Sequence, residues 1–319
     1  QLADLINPFL MKDMDLAVDR LNDAMGRKER ILVYGDYDVD GCTAVALVYK
    51  FIQQFYSNIE YYIPDRYDEG YGVSKKGIDY AKEAGVKLII ILDCGIKAID
   101  EIAYAKSLGI DFIICDHHMP DDELPPAVAI LNPKRADDTY PFKHLCGCGV
   151  GFKFMQAFAK NNGIPFARLI PLLDLCAVSI AADIVPVTEE NRILAFHGLK
   201  TLNQNPSIGL KAIIDICGLG GRDISMSDIV FKIGPRINAS GRMESGRESV
   251  DLLVEKDFSH ALEKAKHIDC YNDKRKDIDK QMTEDANQIV SRLESQRHQS
   301  SIVLYDENWK KGVIGIVAS

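Results

Sequence analysis

Apolar and polar positions run along the first half of the chain in two rhythms. Short, nearly continuous apolar runs at 31–34, 87–92 and 112–115 read as strands buried on both faces. An aromatic and β-branched run at 60–63 and a further run at 127–131 add two more. Between them, three- and four-residue spacing predicts helices over 15–26, 43–55, 75–84 and 98–108, the last two closing on Gly85 and Gly109. Such alternation implies an α/β fold: a parallel sheet flanked by helices.

The second half changes rhythm. Helical spacing recurs over 150–161, 166–182, 191–202 and 209–216, a helical subregion packed on the sheet. A much longer stretch, 257–294, repeats apolar residues from Leu262 to Leu293 at mostly three- and four-residue steps. As one helix it would span roughly 55 Å and connect two domains. Two helices broken near Asn272 are the alternative. Residues 301–305 read as a strand, and 312–319 open a further element. No apolar run approaches the ~18 residues of a membrane span, so no membrane partner is expected.

Composition narrows the class. The chain has 319 residues, is 47% hydrophobic and 27% charged, and carries a net charge of −9 from 38 basic and 47 acidic residues. This is the balance of a globular protein of about two domains at ~150 residues each. Its opening at Gln1, with no signal peptide, reads as the start of an excised piece. The acidity argues against a purely electrostatic nucleic-acid binder. Eight cysteines, none in a C-x-x-C pair, read as buried thiols in a reducing cytoplasm. Zinc at Cys146 and Cys148, in the Gly-rich stretch CGCGVGF, is the weaker reading.

Candidate chemistry gathers where apolar runs stop. The 31–34 run leads into Asp36, Asp38 and Asp40, two residues apart, before Gly41 turns the chain. The 87–92 run ends on Asp93, the 112–115 run on Asp116, His117 and His118, and a later apolar run on Asp183. Ligands in parallel α/β sheets bind beyond the carboxyl ends of strands, so several of these groups are expected at one edge. Six aspartates with two histidines suit two divalent ions, Mn²⁺ or Mg²⁺. Such a pair activates water and stabilises a phosphate in transit. Asp174, inside a helical pattern, is read as structural.

At these residues the chain resembles the DHH phosphoesterase superfamily, named for the triplet seen here as Asp116-His117-His118. The likeness rests on GDYDVDG (35–41), IPDRYDEGYG (63–72), DCGI (93–96), CDHHMP (115–120), LNPKR (131–135), AADIVPVTEENR (181–192) and GPRINASGRM (234–243). It is closer to the superfamily's single-strand-specific 5′→3′ DNA exonucleases. That resemblance implies Asp36, Asp38, Asp40, Asp93, Asp116, His117 and Asp183 as metal ligands, with Asp40, His117 and His118 in catalysis. It also implies repair and recombination as the setting, a cytoplasmic monomer, and single-stranded DNA as substrate. A single-strand-binding protein or a helicase would be the protein partners. The expected division is a catalytic domain over 1–255, a connecting helix over 256–296 and the truncated start of a second domain over 297–319. Relatives carry Trp-His where this chain has Trp309-Lys310.

Two stretches are expected to hold nucleic acid. Arg66, in an aromatic loop, would grip a terminal phosphate, with Tyr67 or Tyr71 stacking on a base. The segment 232–247 is locally basic, and Arg236, Asn238, Ser240 and Arg242 are expected to contact phosphate as a loop. Two rivals stay open: a superfamily phosphoesterase acting on nanoRNA, cyclic dinucleotides or 3′-phosphoadenosine phosphate, and a non-catalytic scaffold. Two divalent ions at the edge would bring the net charge to about −5, so the acidity is partly a metal site.

Overall fold

The computed structural model describes residues 1–293 and 302–318. Its elements follow in chain order. The helix α1 (Met14–Gly26) leads into β1 (Arg30–Gly35), α2 (Val39–Ile52), β2 (Ile59–Tyr62), α3 (Lys75–Glu83), β3 (Val86–Leu92), α4 (Ile99–Ser107), β4 (Asp111–Cys115) and β5 (Ala129–Leu131). The helical part comprises α5 (Gly147–Asn161), α6 (Leu173–Ala182), α7 (Glu189–Gln204), α8 (Ile208–Ile216) and the single turn α9 (Met226–Asp228). A π-helical turn, Ile229–Ile233, then feeds α10 (Gly234–Met243), followed by α11 (Arg247–Leu253), α12 (Phe258–Leu293) and α13 (Lys311–Val317).

All five strands are parallel, in the order β2-β1-β3-β4-β5. The order reverses between β1 and β3, the point where parallel sheets open a crevice. Alternate residues of each strand face opposite sides. Ile31, Val33, Leu88, Ile90 and Ile113 join a large core with α1, α2, α5 and α6. Leu32, Tyr34, Ile89, Ile91 and Ile114 join a smaller one under α3 and α4. Burial on both faces is why these strands are apolar throughout.

Several expected elements differ. Helix α2 begins at Val39, four residues before the expected start, because Asp38 caps it by accepting Gly41 N at 2.9 Å. Residues 166–182 are not one helix. Two 3₁₀ turns, Phe166–Arg168 and Ile170–Leu172, precede α6, since Pro171 has no N–H to give a longer helix. The basic segment expected as a loop is mostly the helix α10, which starts with Pro235 in its first turn. The strand expected at 301–305 does not form over 302–305, where Val303 and Tyr305 are exposed; residue 301 lies outside the described residues. The long helix is unbroken through Asn272 and spans about 54 Å. Expectations for 294–301 and 319 lie outside the described residues. Among the described residues no helix is long and apolar enough to cross a membrane.

One buried ion pair ties the start of the chain to this frame. Lys153 on α5 and Glu190 on α7, both essentially without solvent contact, meet at 2.9 Å. Glu190 also accepts Ile6 N at 2.9 Å and the Tyr140 hydroxyl, while Lys153 donates to Ile6 O. Removing one partner strands the other charge in the core. Glu190→Ala is therefore expected to cost roughly 3–5 kcal/mol. Urea denaturation would read this as a lower midpoint at unchanged slope.

Candidate metal centre

Sheet register builds the centre. Gly35 pairs with Leu92, Leu92 with Cys115, and Cys115 with Leu131. Each next residue therefore stands level at the carboxyl edge: Asp36, Asp93, Asp116 and Asn132. Asp93 is held with φ at 61°, a left-handed conformation that aspartate tolerates better than most side chains. Two glycines let neighbouring backbone close in. A Cβ at Gly41 would lie 2.4 Å from Asp36 O, and one at Gly147 would lie 2.6 Å from the Asp93 side chain.

Asp40, in the first turn of α2, reaches across to α5. Its carboxylate accepts Gly147 N at 2.6 Å, Cys148 N at 2.7 Å and the Ser179 hydroxyl at 2.6 Å. These donors were not foreseen. The sequence places a helix from 150, at the end of the Gly-rich stretch, but not its start at Gly147, whose free amides favour a carboxylate. All eight cysteines are free. Cys146 caps α5, accepting Gly149 N at 3.3 Å, and is packed against Ser179.

His117 stands at the middle of the acids. Its Nε2 lies 3.1 Å from Asp93, 3.6 Å from Asp40 and 3.7 Å from Asp183, the C-cap of α6. Ligand-type atoms of Asp40, His117 and Asp183 lie within 4.8 Å of one another, as do those of Asp93, His117 and His118. Asp116 is the most supported carboxylate: Oδ1 accepts His117 N at 2.7 Å and His118 N at 3.1 Å, and Oδ2 accepts Ile96 N at 3.0 Å. His118 Nδ1 meets the same Oδ1 at 2.7 Å, leaving the other ring nitrogen unused.

The charges are poorly balanced. Burial, then repulsion from Asp38, pushes Asp36 up to about 7. Burial and Asp40 push Asp183 up to about 7 as well. Asp38 and Asp93 are raised for the same two reasons. Burial pushes Asp116 upward too, but the bonds from His118 and from backbone amides hold it below the usual range. His118 is raised by its bond to Asp116, whereas burial lowers His117. Asp36 Oδ1 and His117 Nδ1 are buried without a hydrogen-bond partner. Excess carboxylate, orphaned lone pairs and a neutral imidazole form a donor set that fits divalent cations.

Beside the acids is a cavity of about 250 Å³, walled by Asp36, Asp38, Tyr37, Arg66, Tyr71, Asn238 and Arg242. The Arg66 guanidinium lies over the Tyr37 ring at 4.2 Å and its Nε has no acceptor. Arg242 donates to Gly312 O at 2.8 Å. Burial, then Arg66 and Arg275, pushes Arg242 below its ordinary range, the mark of positive charge short of anions. Tyr71 is exposed and stands edge-on to both Tyr37 and His118. Asn238 lines the cavity while accepting Val39 N at 3.1 Å.

Three expected nucleic-acid contacts are placed otherwise. Arg236 is tied to Asp269 at 2.8 Å. Ser240 is fully buried, sharing its hydroxyl with Ser249 and Ile237 O. Both fell on the packed side of α10 because the segment is helical, so only some of its polar residues reach the cavity. Tyr67 stands on the rim and donates its hydroxyl to Arg242 O. Tyr37, unremarked in the sequence between two acids, supports Arg66.

Known proteins are similar to this chain in sequence and in fold. Residues 30–180 match the model of the DHH family, N-terminal domain. The chain is 40% identical over 317 residues to the single-stranded-DNA-specific exonuclease RecJ of Bacillus subtilis (strain 168), covering 99% of this chain and 39% of that protein. It is 36% identical to RecJ of Escherichia coli (strain K12), covering 97% of this chain and 56% of that protein. The chain thus spans about half the length of the curated relatives it matches. A crystal structure of exonuclease RecJ bound to manganese superposes with a TM-score of 0.85 at 29% identity, covering 97% of this chain and 76% of that one. RecJ from Thermus thermophilus in complex with Mn²⁺ gives 0.81 at 27% identity, covering 97% and 44%.

Raised carboxyls link stability to pH. Unfolded aspartates titrate near ~4, so up to about 7 the folded chain keeps protons that the unfolded chain has released. In the absence of metal, the contribution of these two groups to stability is therefore fully present below ~4, falls as pH rises through that window and levels off above it. Cation binding needs the ionised form. Adding MnCl₂ is expected to raise Tm strongly at pH 8 and little at pH 5. An equal shift at both values would contradict the assignment.

Proposed function

The chain carries the N-terminal domain of the DHH family and is RecJ-like along its described length, and from that premise we propose that it is the catalytic part of a metal-dependent 5′→3′ exonuclease releasing 5′-mononucleotides from single-stranded DNA. One observation carries the reading: a single cavity puts Asp36 and Asp38 of the acidic edge beside Arg66 and Arg242, the second of which burial and neighbouring arginines hold below its ordinary range.

Asp36, Asp38, Asp40, Asp93, Asp116, His117 and Asp183 would hold two divalent ions, Mn²⁺ or Mg²⁺, the ions named for related RecJ structures. Bound there, such ions lower the pKa of water and offset charge on a phosphate. The protein's own groups do the rest. Arg66 takes a terminal 5′-phosphate on its guanidinium edge while its face rests on Tyr37. Arg242 adds a second positive charge from α10. A terminus anchored there delivers the next phosphodiester to the acids, which is the origin of polarity in this reading. Tyr71 packs on the first nucleoside. His118 keeps Nδ1 on Asp116 and, protonated, offers Nε2 to the departing 3′-oxygen. Asp40, both of whose oxygens already accept hydrogen bonds, acts as a support rather than as a base. In the same reading 1–255 form the catalytic domain, α12 connects, and 297–319 open a second domain.

The test is nucleotide release from 5′-phosphorylated single-stranded DNA with Mn²⁺, using the whole protein from which the chain derives. Release abolished by Asp116→Ala supports the reading. Faster hydrolysis of a dinucleotide than of a long oligonucleotide sinks it in favour of a small-substrate phosphoesterase. Arg66→Ala removes a charge-assisted contact of about 1.5–3 kcal/mol. It is expected to raise KM roughly 10- to 100-fold on 5′-phosphorylated ends. The kcat should change little, as should the KM for 5′-hydroxyl ends.

A further inference from the structure

A second cavity lies away from the acidic edge. It has a volume of about 650 Å³ and opens where the C-terminal end of α2 meets the turns before α6, the α7–α8 connection and the α11–α12 connection. Helix α2 carries Asp38 and Asp40 at its other end, and α6 carries Asp183. Helices of 14 and 10 residues separate the cavity from the acids by roughly 15–20 Å.

Its rim is cationic within an acidic chain. Lys50, Arg168 and Lys256 line it, and neither Arg168 nor Lys256 has a side-chain partner among the described residues. Lys50 donates to Leu253 O at 3.2 Å; burial lowers its pKa, and Lys256 adds to the lowering while Asp174 opposes it. Two acids are close, Glu255 on the lining itself and Asp174 beneath it, and both are committed to other partners. Glu255 is bonded to Lys264 and caps the amides of Lys256 and Asp257. Asp174, fully buried, accepts Ser207 N and Leu175 N, each at 2.7 Å. Ser207 is on the wall, with its backbone amide and its hydroxyl both turned to Asp174. The floor is apolar, formed by Leu172, Pro206, Ile208 and Val254.

We propose that this cavity is a binding site for a phosphomonoester of mononucleotide size. The phosphate would lie among Lys50, Arg168 and Lys256, where bidentate and point-charge donors are both on offer. The body of the ligand would cover the apolar floor. A volume of this order falls in the usual range for small-molecule sites, ~300–1,000 Å³. Among the described residues no aromatic ring lines the cavity, so base identity is read weakly. The site does not depend on the exonuclease reading, since none of its residues belongs to the acidic edge.

Titration calorimetry with deoxythymidine 5′-monophosphate tests it, on the whole protein with EDTA present to keep metal from the acids. Saturable binding is expected that weakens at least tenfold in Arg168→Glu/Lys256→Glu and is unchanged in Arg66→Ala. Both substituted positions are exposed, and circular dichroism checks that the variant folds. Three results overturn the proposal: no saturable binding at millimolar ligand, loss of binding in Arg66→Ala with retention in the double variant, or equal affinity for inorganic phosphate, which would leave the apolar floor without a role.

Discussion

Carboxylates of like charge, brought together where water is scarce, govern the architecture of this chain. Sheet register sets Asp36, Asp93 and Asp116 level with one another, and helix ends add Asp38, Asp40 and Asp183. Left to themselves these groups repel, and four of them are pushed above the usual carboxyl range. What holds the arrangement is a set of neutral donors and close backbone approaches. The amides of Gly147 and Cys148 take one carboxylate, three further amides take another, and Gly41 and Gly147 leave room where a methyl group would collide. The protein stabilises the geometry and leaves much of the charge for a cation to offset.

That edge was legible because its logic is local. Each acid follows directly on an apolar run, and a parallel sheet places all such residues on one side. The alternation of strands and helices gave the sheet for the same reason. What depended on contacts between distant segments was not legible. Asp40 looked like one of three alternating strand-end acids, yet it belongs to a helix started by the Asp38 cap, and its partners lie more than a hundred residues away. Ser240 and Arg236 looked available for phosphate until α10 turned them toward the interior and toward Asp269. The 302–305 run had strand composition, but no strand pairs with it among the described residues. Pro171 is the local mark of the break before α6, inside a run whose apolar spacing is helical.

Charge is partitioned rather than averaged. The net −9 describes the chain as a whole and neither of the two cavities above. In one, Arg66 and Arg242 share the wall with Asp36 and Asp38, so groups suited to an anionic end and groups suited to cations lie side by side. In the other, Lys50, Arg168 and Lys256 stand over an apolar floor. Aromatic rings do the positioning near the acids: Tyr37 carries Arg66, and Tyr71 stands between Tyr37 and His118.

The Lys153–Glu190 pair gives this partition a practical side. Surface ion pairs and phosphate contacts fade as salt rises, because mobile ions compete for them. A pair sealed from solvent is outside that competition. The segment around Ile6, pinned through both partners, should therefore stay docked as ionic strength rises. On the proposed reading, a polyanion at Arg66 and Arg242 would be released on a different ionic-strength scale from this pair, so salt would free the ligand without undocking the segment.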